Sequence, residues 1–519
     1  MTGGSPVAPI ARAALAALAL GCTPGPPPRC ADAWAKASIP SAARAYDWVK
    51  DVKLTARGNE GYARFADRLP RRGCIKDWTV LVYMAADAVD LGAPALRDLR
   101  SMEAPFADPA MSAASTTLAD VLVQLHRTEP PGIQRLHMLR AAKEGAPLAV
   151  QSPIVEAFEE ERLAPEESLR RFVSWGVERY PADRYAVIVW GHGLGWRPAS
   201  AAPGPIRYDR EGSAGGLAFD ESQGTALDTP GLAGALAAVA RERLGGRRFD
   251  VYASDACLMQ SIEVAGELAG AARYVVGSEQ IEEDYVGLPY RTWLPTLNGS
   301  APPPPDAAPC APPDLACRAA AMLPSLHRAA AERGAAGAPG VVTATTDGYT
   351  LSALDEDRLT RELVPSLRRL GAAIEAYERE DDLRRIGLQV LLGQEHGEVR
   401  GTPSLRGGTR DIGVFLDRLA AQVKREPGAR GTASANAILA SADAARVALG
   451  HAVLGAAFGP RYREPSFASM AGLSLWLPRD PLDYRARIDF FAPSVLYRTP
   501  SSEPSFRGFL ERLFAPPRR

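Results

Sequence analysis

A chain of 519 residues, 46% of them hydrophobic and 23% charged, has the make-up of a soluble globular protein of one large α/β domain with additions, or of two to three average domains. Its 60 Lys and Arg against 61 Asp and Glu leave a net charge of −1, which argues against a polyanion-binding surface and hence against a nucleic-acid partner. None of the six cysteines sits in a CxxC or Cys/His pattern with metal-ligand spacing, so a zinc site is not expected.

The first 22 residues, "MTGGSPVAPIARAALAALALGC", carry one Arg and an apolar stretch of signal-peptide length. The stretch is too short and Ala-rich to span a bilayer, which takes about 20 strongly apolar residues. Cys22 follows a small residue and precedes the stiff tether "TPGPPP". This pattern predicts export and resembles a bacterial lipoprotein cleavage site, with Cys22 carrying a lipid anchor that attaches the protein to a membrane. The alternative is plain secretory cleavage with Cys22 incidental. If Cys22 is lipidated and Cys257 is free, four cysteines remain to pair in an oxidising compartment. Cys310 and Cys317 bracket a Pro-rich loop, and Cys30 with Cys74 would tie the amino-terminal segment to the first strand.

Residues 1–22 therefore read as a signal peptide and 23–75 as a Pro-rich tether with short helices. Residues 76–300 alternate strand and helix patterns, 301–335 form a Pro-rich loop and a helix, and 336–519 continue as a C-terminal part. Within "DWTVLVYM", Thr79 to Met84 is an apolar run without polar alternation, as in a parallel strand covered on both faces. "LADVLVQLH" and "QRLHMLRA" follow as strands, then the amphipathic helix "EESLRRFVSWGVERY" and the buried strand "YAVIVWGHG". "TPGLAGALAAVARERLG" reads as a helix capped by Thr229, "RFDVYASDAC" as a buried strand, "LMQSIEVAGELAGAA" as a helix and "RYVVGSEQ" as a strand. Further on, "GVVTATTD" and "ASMAGLSLWLP" are strand candidates, and "DEDRLTRELVPSLRRLGAAIEAYERE" and "SANAILASADAARVALGHAVL" are helices. The alternation predicts a mostly parallel central sheet with helices on both faces, an α/β/α sandwich.

Ligands of such sheets meet the carboxyl ends of the strands, and two strands end in reactive residues. His192 lies between Gly191 and Gly193, and Cys257 follows Asp255 and Ala256. Alone, a "GHG" histidine is more often satisfied by backbone, and a lone cysteine is more often core. Together they lie one helical crossover apart, so right-handed winding can make their strands neighbours. The helix pattern after Cys257 also predicts a dipole that stabilises its thiolate. Asp255 read locally is a helix cap.

"WTVLVYMAADAVDL", "YAVIVWGHGLGW", "FDVYASDACLMQSIEVA", "VVGSEQ" and "GLSLWLP", in this order over residues 76 to 515, resemble the clostripain-like cysteine peptidases of the caspase-like fold. The resemblance implies a catalytic dyad of His192 and Cys257, with the backbone N–H groups of Gly193 and Cys257 as oxyanion donors. It implies that Asp255 lines a pocket for a basic side chain, Arg first and Lys second. It also places acidity in the loop "EQIEEDYVGLPY", where Asp284 is named with Glu282 and Glu283 as alternatives. Activation by cleavage between the two motifs falls on Arg207 and Arg210, in a segment that also reads as an ordinary loop. Calcium serves some relatives, but no EF-hand-type loop is present here.

The leading expectation is thus an exported cysteine endopeptidase acting on protein or peptide substrates. Its rival is a catalytically silent, peptidase-like envelope lipoprotein that binds peptides. A serine α/β-hydrolase ranks low, since no G-x-S-x-G elbow occurs.

Overall fold

Strands that are apolar on both faces cannot face water on either side. In this computed structural model that constraint is met by a nine-stranded sheet between two layers of helices. The structure describes residues 29, 74–88, 90–103, 119–127, 132–139, 150, 152, 154–158, 163–198, 215–220, 224–282, 287–298, 310–311, 314–335, 348–392, 394–395, 398–399, 409–478, 480–498 and 506–514.

The strands are β1 (Lys76–Ala86), β2 (Ala119–Arg127), β3 (Gly132–His137), β4 (Ile154–Phe158), β5 (Ala182–Trp190), β6 (Leu217–Asp220), β7 (Thr225–Leu227), β8 (Phe249–Asp255), β9 (Ala272–Gly277), β10 (Thr350–Asp355), β11 (Gln394–Glu395), β12 (Glu398–Val399), β13 (Thr409–Asp411), β14 (Val453–Phe458) and β15 (Ser474–Trp476). The main sheet runs β14-β10-β9-β8-β5-β1-β2-β3-β4. Its centre, β2-β1-β5-β8-β9, is parallel throughout. Antiparallel pairs extend it on both sides, β3 and β4 beyond β2 and β10 and β14 beyond β9.

The helices that build the layers are α1 (Gly92–Glu103), α2 (Pro165–Arg179), α3 (Thr229–Arg243), α4 (Ile262–Leu268), α5 (Leu315–Ala335), α6 (Val364–Glu375), α7 (Glu380–Leu392), α8 (Ile412–Arg425), α9 (Ala433–Ala452), α10 (Pro481–Phe491) and α11 (Phe506–Phe514). Side chains on a strand alternate between faces, so β1 feeds two cores. Val80, Val82 and Met84 pack in one cluster with Leu99 and Met102 of α1 and Leu323 of α5. Leu81 and Tyr83 pack in the other with Phe172 of α2, Leu236 of α3 and Leu268 of α4. That second cluster continues without a break through Leu367 of α6, Leu416 of α8 and Leu510 of α11. Each fully buried Val, Leu or Met contributes roughly 1.5–3 kcal/mol.

Several local expectations need correction. The cap of α3 is Asp228, whose carboxylate accepts from the Gly231 N–H at 2.6 Å, while Thr229 Oγ1 accepts from the Arg197 N–H. "ASMAGLSLWLP" yields only the three-residue β15, which pairs with β13 in a small separate sheet. Gly472 at φ +91° turns the chain just before it, and Leu477-Pro478 follows it. The strand candidate "GVVTATTD", residues 340–347, lies outside the described residues; β10 begins after it, at Thr350. Among the described residues no helix is long and apolar enough to cross a membrane.

Cys310 and Cys317 form a disulfide. Cys74 is also disulfide-bonded; Cys30 and Cys22 lie outside the described residues. Near Cys74, Arg29 bridges to Ile75 and pairs with Asp77 and Asp183. Chain entropy for so short a loop as 310–317 predicts that the double variant Cys310→Ser/Cys317→Ser loses about 2 kcal/mol of stability, read from denaturant unfolding. An unchanged midpoint would mean the bridge constrains nothing that folding does not already constrain.

Candidate active site

The register of β5 on β8 pairs Trp190 with Asp255, the last residues of the two strands. One more rung follows, the Gly191 N–H donating to the Asp255 carbonyl at 3.2 Å. His192 and Cys257 each stand two residues beyond the Trp190–Asp255 pair, so the two motifs leave the sheet side by side. Gly193 packs directly on the cysteine turn. A Cβ there would overlap the Cys257 carbonyl oxygen and lie 3.1 Å from the Ala256 Cβ. Gly191 holds φ +148° with its α-carbon facing the Ala85 carbonyl. Both glycines beside the histidine are therefore steric requirements. The Ala218 N–H donates to the His192 carbonyl at 3.0 Å, tying the histidine loop to β6.

Cys257 sits in a turn, partly buried, with Leu258 at φ +64° behind it. A left-handed Leu costs about 1–2 kcal/mol, and backbone bonds hold it: Leu258 N–H to the Gln280 carbonyl at 3.1 Å and Gln260 N–H to the Ser278 carbonyl at 3.0 Å. α4 begins only at Ile262, capped by Ser261. The expected dipole therefore does not act on Cys257, because that effect fades within the first turn. Burial, and then the charge of Glu282, push the thiol up to about 12. The Glu282 N–H donates to the Cys257 Sγ at 3.3 Å. At neutral pH the sulfur carries its proton.

Asp255 is buried and caps nothing. Its carboxylate accepts from the Leu288 N–H at 2.9 Å and from the Tyr290 hydroxyl at 2.6 Å. Two further acids converge on it. Asp98 of α1 accepts from the Trp190 indole N–H at 2.8 Å, and Gly287 backs both groups: a Cβ on it would lie 3.0 Å from an oxygen of each. Burial raises Asp255 to about 6. Burial and then Asp255 hold Asp98 well above the usual carboxylate range, and burial with Asp255 and Asp98 does the same to Glu282. The result is a cluster of acids packed beside the turn that carries the sulfur. Asp284 and Glu283 lie outside the described residues, so the loop acid seen here is Glu282. Arg207 and Arg210 also lie outside them.

Asp98 escaped the sequence reading because "RDLRS" looks like a solvent face. The usable signal is its spacing with Pro94, Ala95, Leu99 and Met102, all on the buried stripe of α1. Asp90 escaped too; its Oδ1 lies 3.1 Å from His192 Nε2. One group among the described residues has the spacing of a metal site, Asp87, His126 and Asp220, whose ligand atoms lie within 4.8 Å of one another. Asp87 just past β1, His126 on β2 and Asp220 at the end of β6 meet there, and no sequence spacing marks them.

The sequence model of the clostripain family matches residues 82–305, a span that contains Asp90, Asp98, His192, Asp255, Cys257 and Glu282. The fold is similar to that of an inactive zymogen C11 protease from Parabacteroides distasonis, with a TM-score of 0.52 and 19% identity over 82% of this chain and 98% of that one. A secreted C11 cysteine protease from Bacteroides thetaiotaomicron, solved with an irreversible peptide inhibitor, gives a TM-score of 0.48 and 19% identity over 80% of this chain and 98% of that one. No curated protein matches the chain.

The cluster of acids has a signature in stability. An aspartate raised to about 6 binds more protons folded than unfolded between about pH 4 and pH 6, so stability falls as pH rises through that window. Thermal melts of a Cys257→Ala protein should decline across it, and adding Asp255→Asn should flatten the decline and raise the melting temperature at pH 7. A steeper decline with Asn at 255 would contradict the assignment.

Proposed function

Because residues 82–305 belong to the clostripain family of cysteine peptidases, we propose that the protein is an exported endopeptidase that cleaves after Arg, and after Lys, through His192 and Cys257. The observation that carries the specificity is the convergence of Asp98, Asp255 and Glu282 beside the sulfur. Three acids forced together in low-dielectric surroundings repel one another and hold protons; a cationic side chain entering among them relieves both costs. Arg fits better than Lys because its planar fork can serve two carboxylates at once.

The chemistry follows from the resting state. The thiol is protonated, so His192 takes the Cys257 proton as the sulfur attacks the scissile carbonyl carbon. A C–S bond forms and the carbonyl electron pair moves to oxygen, where the Gly193 and Cys257 backbone N–H groups receive it. Collapse breaks the C–N bond, and His192 returns the proton to the leaving amine. Water then hydrolyses the thioester with His192 as base. A basic side chain held among the acids also favours the thiolate that forms as His192 takes the proton, because opposite charge stabilises it. Autoprocessing at Arg207 or Arg210 uses the same specificity on the segment between the two motifs. Export rests on the leader-like residues 1–22, with Cys22 as the lipid attachment point.

A peptide with Arg before the scissile bond tests the reading. Cys257→Ala should abolish turnover, and Asp255→Asn and Asp98→Asn should each lower kcat/KM for Arg substrates by about 10²-fold while leaving a neutral residue at that position little affected. Thiol-independent turnover would overturn the dyad, and equal loss on neutral substrates would overturn the pocket. If purified wild type binds such peptides without cleaving them, the silent lipoprotein is the better account. Fractionation of wild type and Cys22→Ala should move the protein from the membrane to the soluble fraction.

A further inference from the structure

We propose that Asp90 is a positioning residue for His192, completing a Cys–His–Asp line across three adjacent strand ends; this deepens the dyad reading and rests on it. The sheet order β8-β5-β1 sets the geometry. Cys257 follows β8, His192 follows β5, and Asp90 follows β1, so the histidine stands between the other two. Both strand pairs are parallel and close to their carboxyl ends in register: Met84 faces Trp190, and Trp190 faces Asp255. The three loops thus leave the same edge of the sheet with the histidine loop between the other two.

The contact itself is a hydrogen-bond distance, 3.1 Å from Asp90 Oδ1 to His192 Nε2. An ionised carboxylate only accepts, so the proton at this contact belongs to Nε2. That assigns the tautomer: Nδ1 carries the lone pair that takes the Cys257 proton. When Nδ1 is protonated, the ring becomes a cation, and the carboxylate beside it stabilises that charge without itself accepting the proton. A rigid mount supports the role. The Leu91 N–H donates to the Ala88 carbonyl at 3.0 Å, closing the turn that carries Asp90, and the Ala95 N–H donates to the Leu91 carbonyl at 3.0 Å where α1 begins. The Asp90 side chain is half exposed while that of His192 is mostly covered, 51% against 19%. Water therefore screens the pair, which limits the effect to less than a fully buried aspartate gives.

Asp90 lies in the "DAVDL" turn, to which the resemblance assigns no role. Nothing in the composition of that turn separates Asp90 from a capping or solvent-facing acid. Only the strand order does.

The test uses the full, processed chain and three variants, Asp90→Ala, Asp90→Asn and Asp90→Glu, with an Arg-containing peptide and with iodoacetamide labelling of Cys257. The expected result is a fall in kcat of about tenfold or more for Asp90→Ala and Asp90→Asn with KM within about twofold, and partial recovery in Asp90→Glu. Labelling of Cys257 should slow in the same order, which reports on the sulfur without requiring turnover, and melting temperatures should stay close to wild type. Wild-type kcat and labelling in Asp90→Ala would overturn the role of Asp90 while leaving the dyad intact. A rise in KM alone would also overturn it, by making Asp90 a substrate contact. If wild type and Cys257→Ala behave alike toward the peptide, the dyad reading fails, and this inference falls with it.

Discussion

The parallel pairing of β5 with β8 is the constraint on which the rim of this sheet depends. It brings two loops to one edge, and Gly193 lets them close until its α-carbon rests on the cysteine turn. Any side chain at 193 would have to displace the backbone of Cys257. The histidine motif and the cysteine motif are therefore one packed unit, assembled by sheet register from residues 65 positions apart. β1 on the other flank of β5 adds Asp90 to the same unit, and β9 adds the Gln280 and Ser278 carbonyls that hold the turn after Cys257.

Against this fixed frame, the acids behind the sulfur are a stored cost. A buried carboxyl group with another beside it is stable only with a proton or a cation. Asp98, Asp255 and Glu282 accept indole, hydroxyl and amide donors or lie against one another, and burial still drives each upward. Stability is thereby given up at neutral pH, and under the proposed function a basic side chain would return it at that place. Burial, first, and the neighbouring acids hold the thiol up as well, so the sulfur and the carboxyl groups share one environment. Strain at Leu258 adds to the pattern of a site kept in shape by its surroundings rather than by local preference.

The layered α/β/α architecture was legible because uninterrupted apolar runs such as Thr79–Met84 and Tyr185–Trp190 leave few alternatives to a covered parallel sheet. The histidine and cysteine motifs were legible because glycine on both sides of His192 and a short polar step before Cys257 mark strand ends. What failed had physical causes. The start of α4 was misplaced because Leu258–Gln260 reads as helix by pattern, while the backbone turns left-handed at Leu258 and pairs with the segment after β9. Thr229 lost the cap of α3 to Asp228, one residue earlier and equally able to accept. Asp90 was missed because strand order, which a single sequence does not display, is what brings it to His192; Asp98 was missed because an acid between arginines reads as a solvent face until its spacing on the buried stripe of α1 is counted.

Under the proposed function, one cluster of acids holds a basic side chain while Cys257 attacks the bond beside it. The most direct measurement is a crystal structure of the protein after reaction with a peptidyl-arginine chloromethyl ketone. The account predicts a covalent bond to Cys257 Sγ and the guanidinium among the carboxylates of Asp98, Asp255 and Glu282. A label on another residue, or a guanidinium in solvent with the three acids still facing one another, would contradict it.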